Sequence, residues 1–153
     1  VDPYYLSFVA KKKGIQSNMI YHAGKINTMM PKWIINETLK KITINKALIL
    51  GIAYKKDVDD VRESPAIKFF NILKKKRISV EYFDPFVKKL SSRHLSKNYN
   101  SIELNAKNLK KYDCVFLVTN HSQINYKLIK KNSNFIIDTR NIFKDNDSKI
   151  LKL

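Results

Sequence analysis

The period of the apolar positions changes several times along the chain, and each change predicts an element. Residues 47–54, Ala-Leu-Ile-Leu-Gly-Ile-Ala-Tyr, form a continuous apolar run. The run is too short for a typical helix and suits a strand covered on both faces. A polar loop follows over residues 55–63. Ser64-Pro65 then reads as an N-cap and a first helical residue, because serine accepts an orphan N–H and proline has none to leave unpaired. Ala66, Ile67, Phe69, Phe70 and Leu73 recur at helical spacing and predict one buried helix face. Ile78, Val80 and Tyr82 alternate as a second strand, ended by Asp84-Pro85. Short connections and right-handed crossovers make these strands parallel.

The flanking segments extend the pattern. Asp2-Pro3 starts a helix with Tyr4, Tyr5, Phe8 and Val9 on its apolar face, and Lys11-Lys12-Lys13 with Gly14 ends it. Ile20, Ala23, Ile26 and Met30 predict a second helix that Pro31 interrupts. Trp33, Ile34, Ile35, Leu39 and Ile42 predict a further amphipathic piece beyond it. Together these helices carry more apolar surface than a short appendage buries on itself. Residues 88–105, rich in Ser, Lys and Asn, predict a loop with at most one short helix. Residues 114–118 predict another buried strand, residues 119–122 a loop at its carboxyl end, and residues 126–131 a helix. Phe135-Ile136-Ile137 predicts a last strand running into Asp138-Thr139-Arg140-Asn141, and the charged tail from Lys144 is expected to fray. Strands alternating with helices give an α/β fold, a Rossmann-like doubly wound parallel sheet preceded by a helical segment. The expected division is a helical segment over 1–44 and an α/β domain over 45–153. Ligands of such a sheet bind at the carboxyl ends of its strands.

Composition narrows the classes of function. At 153 residues the chain can bury one good core. It has 30 Lys+Arg against 13 Asp+Glu and a net charge of +17, and only Arg62, Arg77, Arg93 and Arg140 are arginines. Such a charge suits a nucleic-acid partner. The sequence shows no basic strand interleaved with aromatics of the kind that binds single strands, so a nucleic-acid role is the weakest of the readings kept. Cys114 is the only cysteine, which leaves no internal disulfide and no cysteine-based zinc site. No apolar run approaches the ~20 residues that span a bilayer, and no signal peptide opens the sequence, so a cytoplasmic, reducing compartment is expected. The sequence begins with Val1, which suggests a fragment.

Two cations stand where an α/β sheet binds its ligands. The turn after the first strand holds one glycine, Gly51, and no G-x-G-x-x-G, so it does not predict a dinucleotide pyrophosphate site. Lys55 instead offers a point charge at that strand's end, and Arg140 a two-pronged guanidinium at the end of another. Together they predict a phosphorylated ligand, although each alone is also consistent with a solvated surface charge. Asp59 and Asp60 lack further metal ligands, and His22, His94 and His121 lack metal spacing. No metal site is expected.

Four motifs in order carry a resemblance over almost the whole chain: VDPYYL at the start, GIAYKKDVDDVRESPA, YFDP, and DTRN. They resemble the central helices and C-terminal nucleotide-sugar-binding domain of the UDP-glucose/GDP-mannose dehydrogenase family, most like its UDP-N-acetylhexosamine branch. The resemblance implies NAD-dependent, two-step oxidation of a UDP-sugar to the uronic acid, for surface polysaccharide biosynthesis. It implies that Tyr54, Lys55 and Arg140 contact the UDP-sugar and that Arg62 reaches NAD. Arg62 could equally pair with Asp57, Asp59, Asp60 or Glu63 in its own loop. Asp2 matches an aspartate that helps position water during thioester hydrolysis, four residues after a catalytic cysteine that would fall upstream of Val1. Asp2 is also read as a plain helix cap. The NAD-binding domain would lie upstream or on a separate chain, and the helices between Tyr4 and Ile42 would form a homodimer. A non-catalytic binding module derived from such an enzyme is the alternative.

Overall fold

The computed structural model describes residues 2–91 and 98–153. Arg93 and His94 lie outside the described residues. Two helices come first, α1 (Asp2–Lys12) and α2 (Asn18–Leu39). α1 ends as its sequence dictates: Gly14 takes φ +76°, and the Gly14 and Ile15 amides donate back to Lys11 O and Ala10 O. Pro31 does not break α2, contrary to the sequence expectation. Proline removes one amide donor, but Pro31, Ile34, Ile35 and Thr38 are buried, and Ile34 and Ile35 join the main core. Tertiary packing there outweighs the local cost.

The remainder is a five-stranded sheet in the order β2-β1-β5-β6-β7, parallel throughout. Its strands are β1 (Lys46–Leu50), β2 (Ser79–Phe83), β5 (Cys114–Leu117), β6 (Ile136–Asp138) and β7 (Ile150–Lys152). Between them run α3 (Pro65–Lys75), the antiparallel pair β3 (Lys89–Leu90) and β4 (Tyr99–Asn100), α4 (Ala106–Leu109) and α5 (Tyr126–Asn132). The Ser64 hydroxyl accepts the Ala66 amide at 3.2 Å, so the Ser-Pro start of α3 works as its chemistry requires.

The apolar run of β1 is continuous because both of its faces are covered. Ala47 and Ile49 pack with Ile35, Phe69, Phe70 and Phe116 on one side. Leu48 and Leu50 pack with Leu109, Val115, Leu117 and Ile129 on the other. Cys114 is fully buried in the first layer, and burial pushes its thiol far up, which leaves an unreactive packing residue.

Two further expectations are corrected. The tail from Lys144 does not fray: Ile150–Lys152 forms β7 beside β6, and Lys130 pairs with Asp145 at 2.9 Å. Its strand signal is three residues long, and only the free edge of β6 gives it a partner. Residues 88–105 hold not a plain loop but the β3–β4 pair, while the short helix falls just beyond them at Ala106–Leu109.

Candidate functional site

Each parallel strand delivers its next residues to one rim. β1 continues into Gly51–Lys55, β2 into Asp84-Pro85, β5 into Thr119–Ser122 and β6 into Thr139–Asn141. Lys55 and Arg140 are both exposed at this rim, with β5 between their strands. Strands two places apart are about 10 Å apart, a span that two long cationic side chains can bridge to one ligand.

Tyr54 is half-exposed, and the Lys55 ammonium lies 5.5 Å from the centre of its ring. Arg140 is held from behind. Its Nε donates to Val118 O, its amide donates to Asp138 Oδ1 at 2.9 Å, and Asp138 Oδ2 accepts the Phe143 amide at 2.9 Å. Asn141 adopts φ +53°, and the Thr139 hydroxyl donates to Leu117 O at 2.7 Å. DTRN is therefore a tight turn, capped by a buried aspartate, that presents the guanidinium.

Behind the rim lies a fully buried hub, Asp84 of the YFDP motif, whose sequence position marks a strand end and shows no sign of its partners. Its Oδ2 accepts the Ile52 and Ala53 amides at 2.7 and 3.0 Å and faces His121 Nε2 at 3.0 Å. Its Oδ1 accepts the Phe86 and Val87 amides at 2.9 and 3.0 Å. Burial alone would raise this carboxyl, but the hydrogen bonds from His121, Val87, Phe86 and Ala53 outweigh it and hold Asp84 below its usual range. In a dinucleotide-binding turn the amides after the first strand face a pyrophosphate. Here the Gly51 amide donates to Phe83 O, and those of Ile52 and Ala53 are committed to a carboxylate of the chain itself. The residues of this turn do not fit a NAD pyrophosphate.

His121 is fully buried, and both ring nitrogens are engaged, Nδ1 accepting the Asp57 amide at 2.9 Å. It lies behind the ligand rim and is not exposed on it. Asp57, at φ +58°, gives its carboxylate to the Ser122 amide and hydroxyl, both at 2.7 Å. Those bonds hold Asp57 below the usual carboxylate range. The only sequence signals for this network were single aspartates and a histidine at loop positions, which specify no partner.

Arg62 takes the local option. Its guanidinium forks onto Asp60, with Nε 3.0 Å from Oδ1 and an Nη 2.8 Å from Oδ2, and its side-chain hydrogen bonds pull Asp60 down to about 2. Asp2 opens α1, in the helical pair rather than on the sheet, and its side chain lies outside the described residues. Among the described residues no group of three His, Cys, Asp or Glu could hold a metal ion. No helix among them is long and apolar enough to cross a membrane.

Comparison with known proteins matches residues 48–145 to the model of the UDP-glucose/GDP-mannose dehydrogenase family, UDP binding domain. The chain is 32% identical to a UDP-N-acetyl-D-mannosamine dehydrogenase of Pyrococcus horikoshii over 156 residues, covering 94% of this chain and 34% of that protein. It is 35% identical to a UDP-glucose 6-dehydrogenase of Rickettsia prowazekii, covering 68% of this chain and 25% of that protein. Among solved structures it resembles UDP-D-ManNAc dehydrogenase from Pyrococcus horikoshii at a TM-score of 0.73 and 28% identity, over 99% of this chain and 36% of that one. The chain thus spans about a third of the length of the first relatives it matches.

Proposed function

The chain belongs to the UDP-glucose/GDP-mannose dehydrogenase family, and on that premise we propose that it holds the diphosphate of a UDP-sugar between Lys55 and Arg140, with Tyr54 beside the nucleotide. The observation that carries this reading is the pair of exposed cations ending β1 and β6, inside the matched region 48–145. Titration of UDP-N-acetylglucosamine at moderate and high salt tests it. Lys55→Ala and Arg140→Ala are each expected to weaken binding by about one to two decades, as for hydrogen bonds to charged groups. A Lys74/Lys75/Lys76 triple alanine is expected to leave binding unchanged, because those lysines end α3, where a parallel α/β unit turns back to the opposite rim. Generic polyanion binding would behave oppositely, with every lysine mattering modestly and a steep loss on adding salt. A triple variant as weak as Lys55→Ala would overturn the assignment.

The wider reading is that the chain serves the NAD-dependent oxidation of a UDP-N-acetylhexosamine or UDP-glucose at C6. Support for it is the dehydrogenase names of relatives about three times as long, matched over 34%, 30% and 25% of their lengths. NAD is the cofactor of this family. In this reading a dinucleotide-binding domain beyond this chain supplies most of its site, with Arg62 leaving Asp60 to reach it and Asp2 acting near the reacting carbon. The 153-residue chain alone is expected to form no NADH from NAD and a UDP-sugar, because Asp84 already takes the amides a pyrophosphate would need. Substrate-dependent NADH above a boiled control would refute this.

We place a homodimer contact on α1 and α2. Tyr5, Met19, Ile26, Met29 and Trp33 are exposed there, Met19 at 85%, and apolar surface of that extent marks an interface. Sedimentation is expected to give a dimer at tens of micromolar with Trp33 shielded from quencher. A monomer with Trp33 freely quenched would remove the proposal.

A further inference from the structure

Residues 54–63 carry Tyr54 and Lys55 but no helix or strand, so their position depends on a few tie points. The first is Ala53, whose amide donates to Asp84 and whose carbonyl accepts the Thr119 hydroxyl at 2.7 Å. The second is Asp57, whose amide donates to His121 and whose carboxylate binds Ser122. Only Tyr54, Lys55 and Lys56 lie between the two.

We infer that His121 is the positioning residue of the nucleotide-sugar site: a neutral imidazole protonated on Nε2, it ties the turn carrying Tyr54 and Lys55 to the ends of β2 and β5, an inference that rests on the ligand role proposed for those two residues. The protonation state follows from its neighbours. The Asp57 amide can only donate, so Nδ1 accepts and carries no proton. Asp84, held ionised by four backbone amides, can only accept, so Nε2 carries the proton. A doubly protonated ring would set N–H against the Asp57 N–H. The other charged group facing the ring, the Asp57 carboxylate at 3.8 Å from Nδ1, is already committed to Ser122. Phe86 packs 5.2 Å away, ring centre to ring centre, and the Tyr126 hydroxyl donates to His121 O at 2.9 Å. Ring and backbone are thus both fixed. No other side chain is hydrogen-bonded to the Asp57 amide among the described residues, so losing the imidazole leaves that end of the three-residue span held only by the bonds from Ser122 to the Asp57 carboxylate.

His121→Leu removes both ring hydrogen bonds at similar volume. His121→Gln keeps one side-chain donor and one acceptor at this position, the amide nitrogen to face Asp84 and the amide oxygen to face the Asp57 amide. With UDP as the probe, His121→Leu is expected to bind about tenfold more weakly while remaining folded, and His121→Gln to recover to within about threefold of wild type. Amide exchange at Lys55 and Asp57 is expected to rise about tenfold in the leucine variant alone. Ring nitrogen NMR is expected to show a protonated Nε2 and a bare Nδ1. A leucine variant that binds UDP like wild type overturns the inference, as does a glutamine variant as weak as leucine, or a ring protonated on Nδ1. If the leucine variant does not fold, the glutamine variant and the ring signals decide between the same outcomes. If wild type binds no UDP, the nucleotide reading of Tyr54 and Lys55 fails, while exchange and ring signals still decide whether His121 anchors the turn.

Discussion

An Asp84→Ala variant is expected to lose roughly 3–5 kcal/mol of folding stability, the range for breaking a buried, hydrogen-bonded charge network. Five donors converge on its two oxygens, four of them backbone amides that truncation would leave without this acceptor. That is a large part of the total stability of a domain this size, about 5–15 kcal/mol. Asp84→Asn is expected to fare no better, since its NH2 would face donors where the carboxylate accepts on both sides. Denaturant unfolding of the three proteins measures this, and an asparagine variant as stable as wild type would show that the charge is unnecessary. The pH dependence has a definite sign. Asp84 sits below its usual value in the folded state, so its contribution is present above the ordinary carboxylate range and is lost as pH falls through the folded value. The gap in stability between wild type and Asp84→Asn is therefore expected to be full at neutral pH and to narrow on acidification below about 4. Because the same carboxylate seats the amides next to Tyr54 and receives His121, UDP affinity is expected to fall with stability.

Gly51→Ala is expected to cost about 2–4 kcal/mol, from left-handed backbone strain together with overpacking. Gly51 adopts φ +78°, and an added Cβ would lie 2.2 Å from Thr119 O and 2.6 Å from Thr119 Cβ. The obstacle is backbone, so relief requires β1 and the turn after β5 to separate. Those are the segments that carry Lys55 and His121. Gly14 provides the control, with φ +76° and nothing within 4 Å of an added Cβ. Gly14→Ala is expected to cost only about 1 kcal/mol, from backbone conformation alone. Urea unfolding of the two variants separates the effects, and equal costs would show that the close approach at Thr119 relaxes freely.

What the sequence determined by itself was whatever is encoded within a few residues. The Ser64-Pro65 cap, the two-faced run of β1 and the helical spacing of α3 announce their elements because cap, strand and helix signals repeat over one to three turns or residues. Lys55 and Arg140 were legible as candidates because a cation just past a buried strand falls on the rim where α/β sheets meet their ligands. Local signals also misled where a distant partner was stronger. Pro31 stays inside α2 because its neighbours are buried, and the last residues become β7 because β6 offers an open edge. Arg62 had several acids within reach, and the fold of its loop chose Asp60. Only the tertiary structure decided that Asp84, His121 and Asp57 form one network. Asp84 binds amides 31 and 32 residues away, and His121 reaches Asp84 and Asp57 across 37 and 64 residues. A hydrogen bond has no sequence period, and an aspartate or histidine carries the same donors and acceptors wherever it stands. It is the parallel sheet, by bringing the ends of β1, β2 and β5 side by side, that supplies each of these groups with its partner.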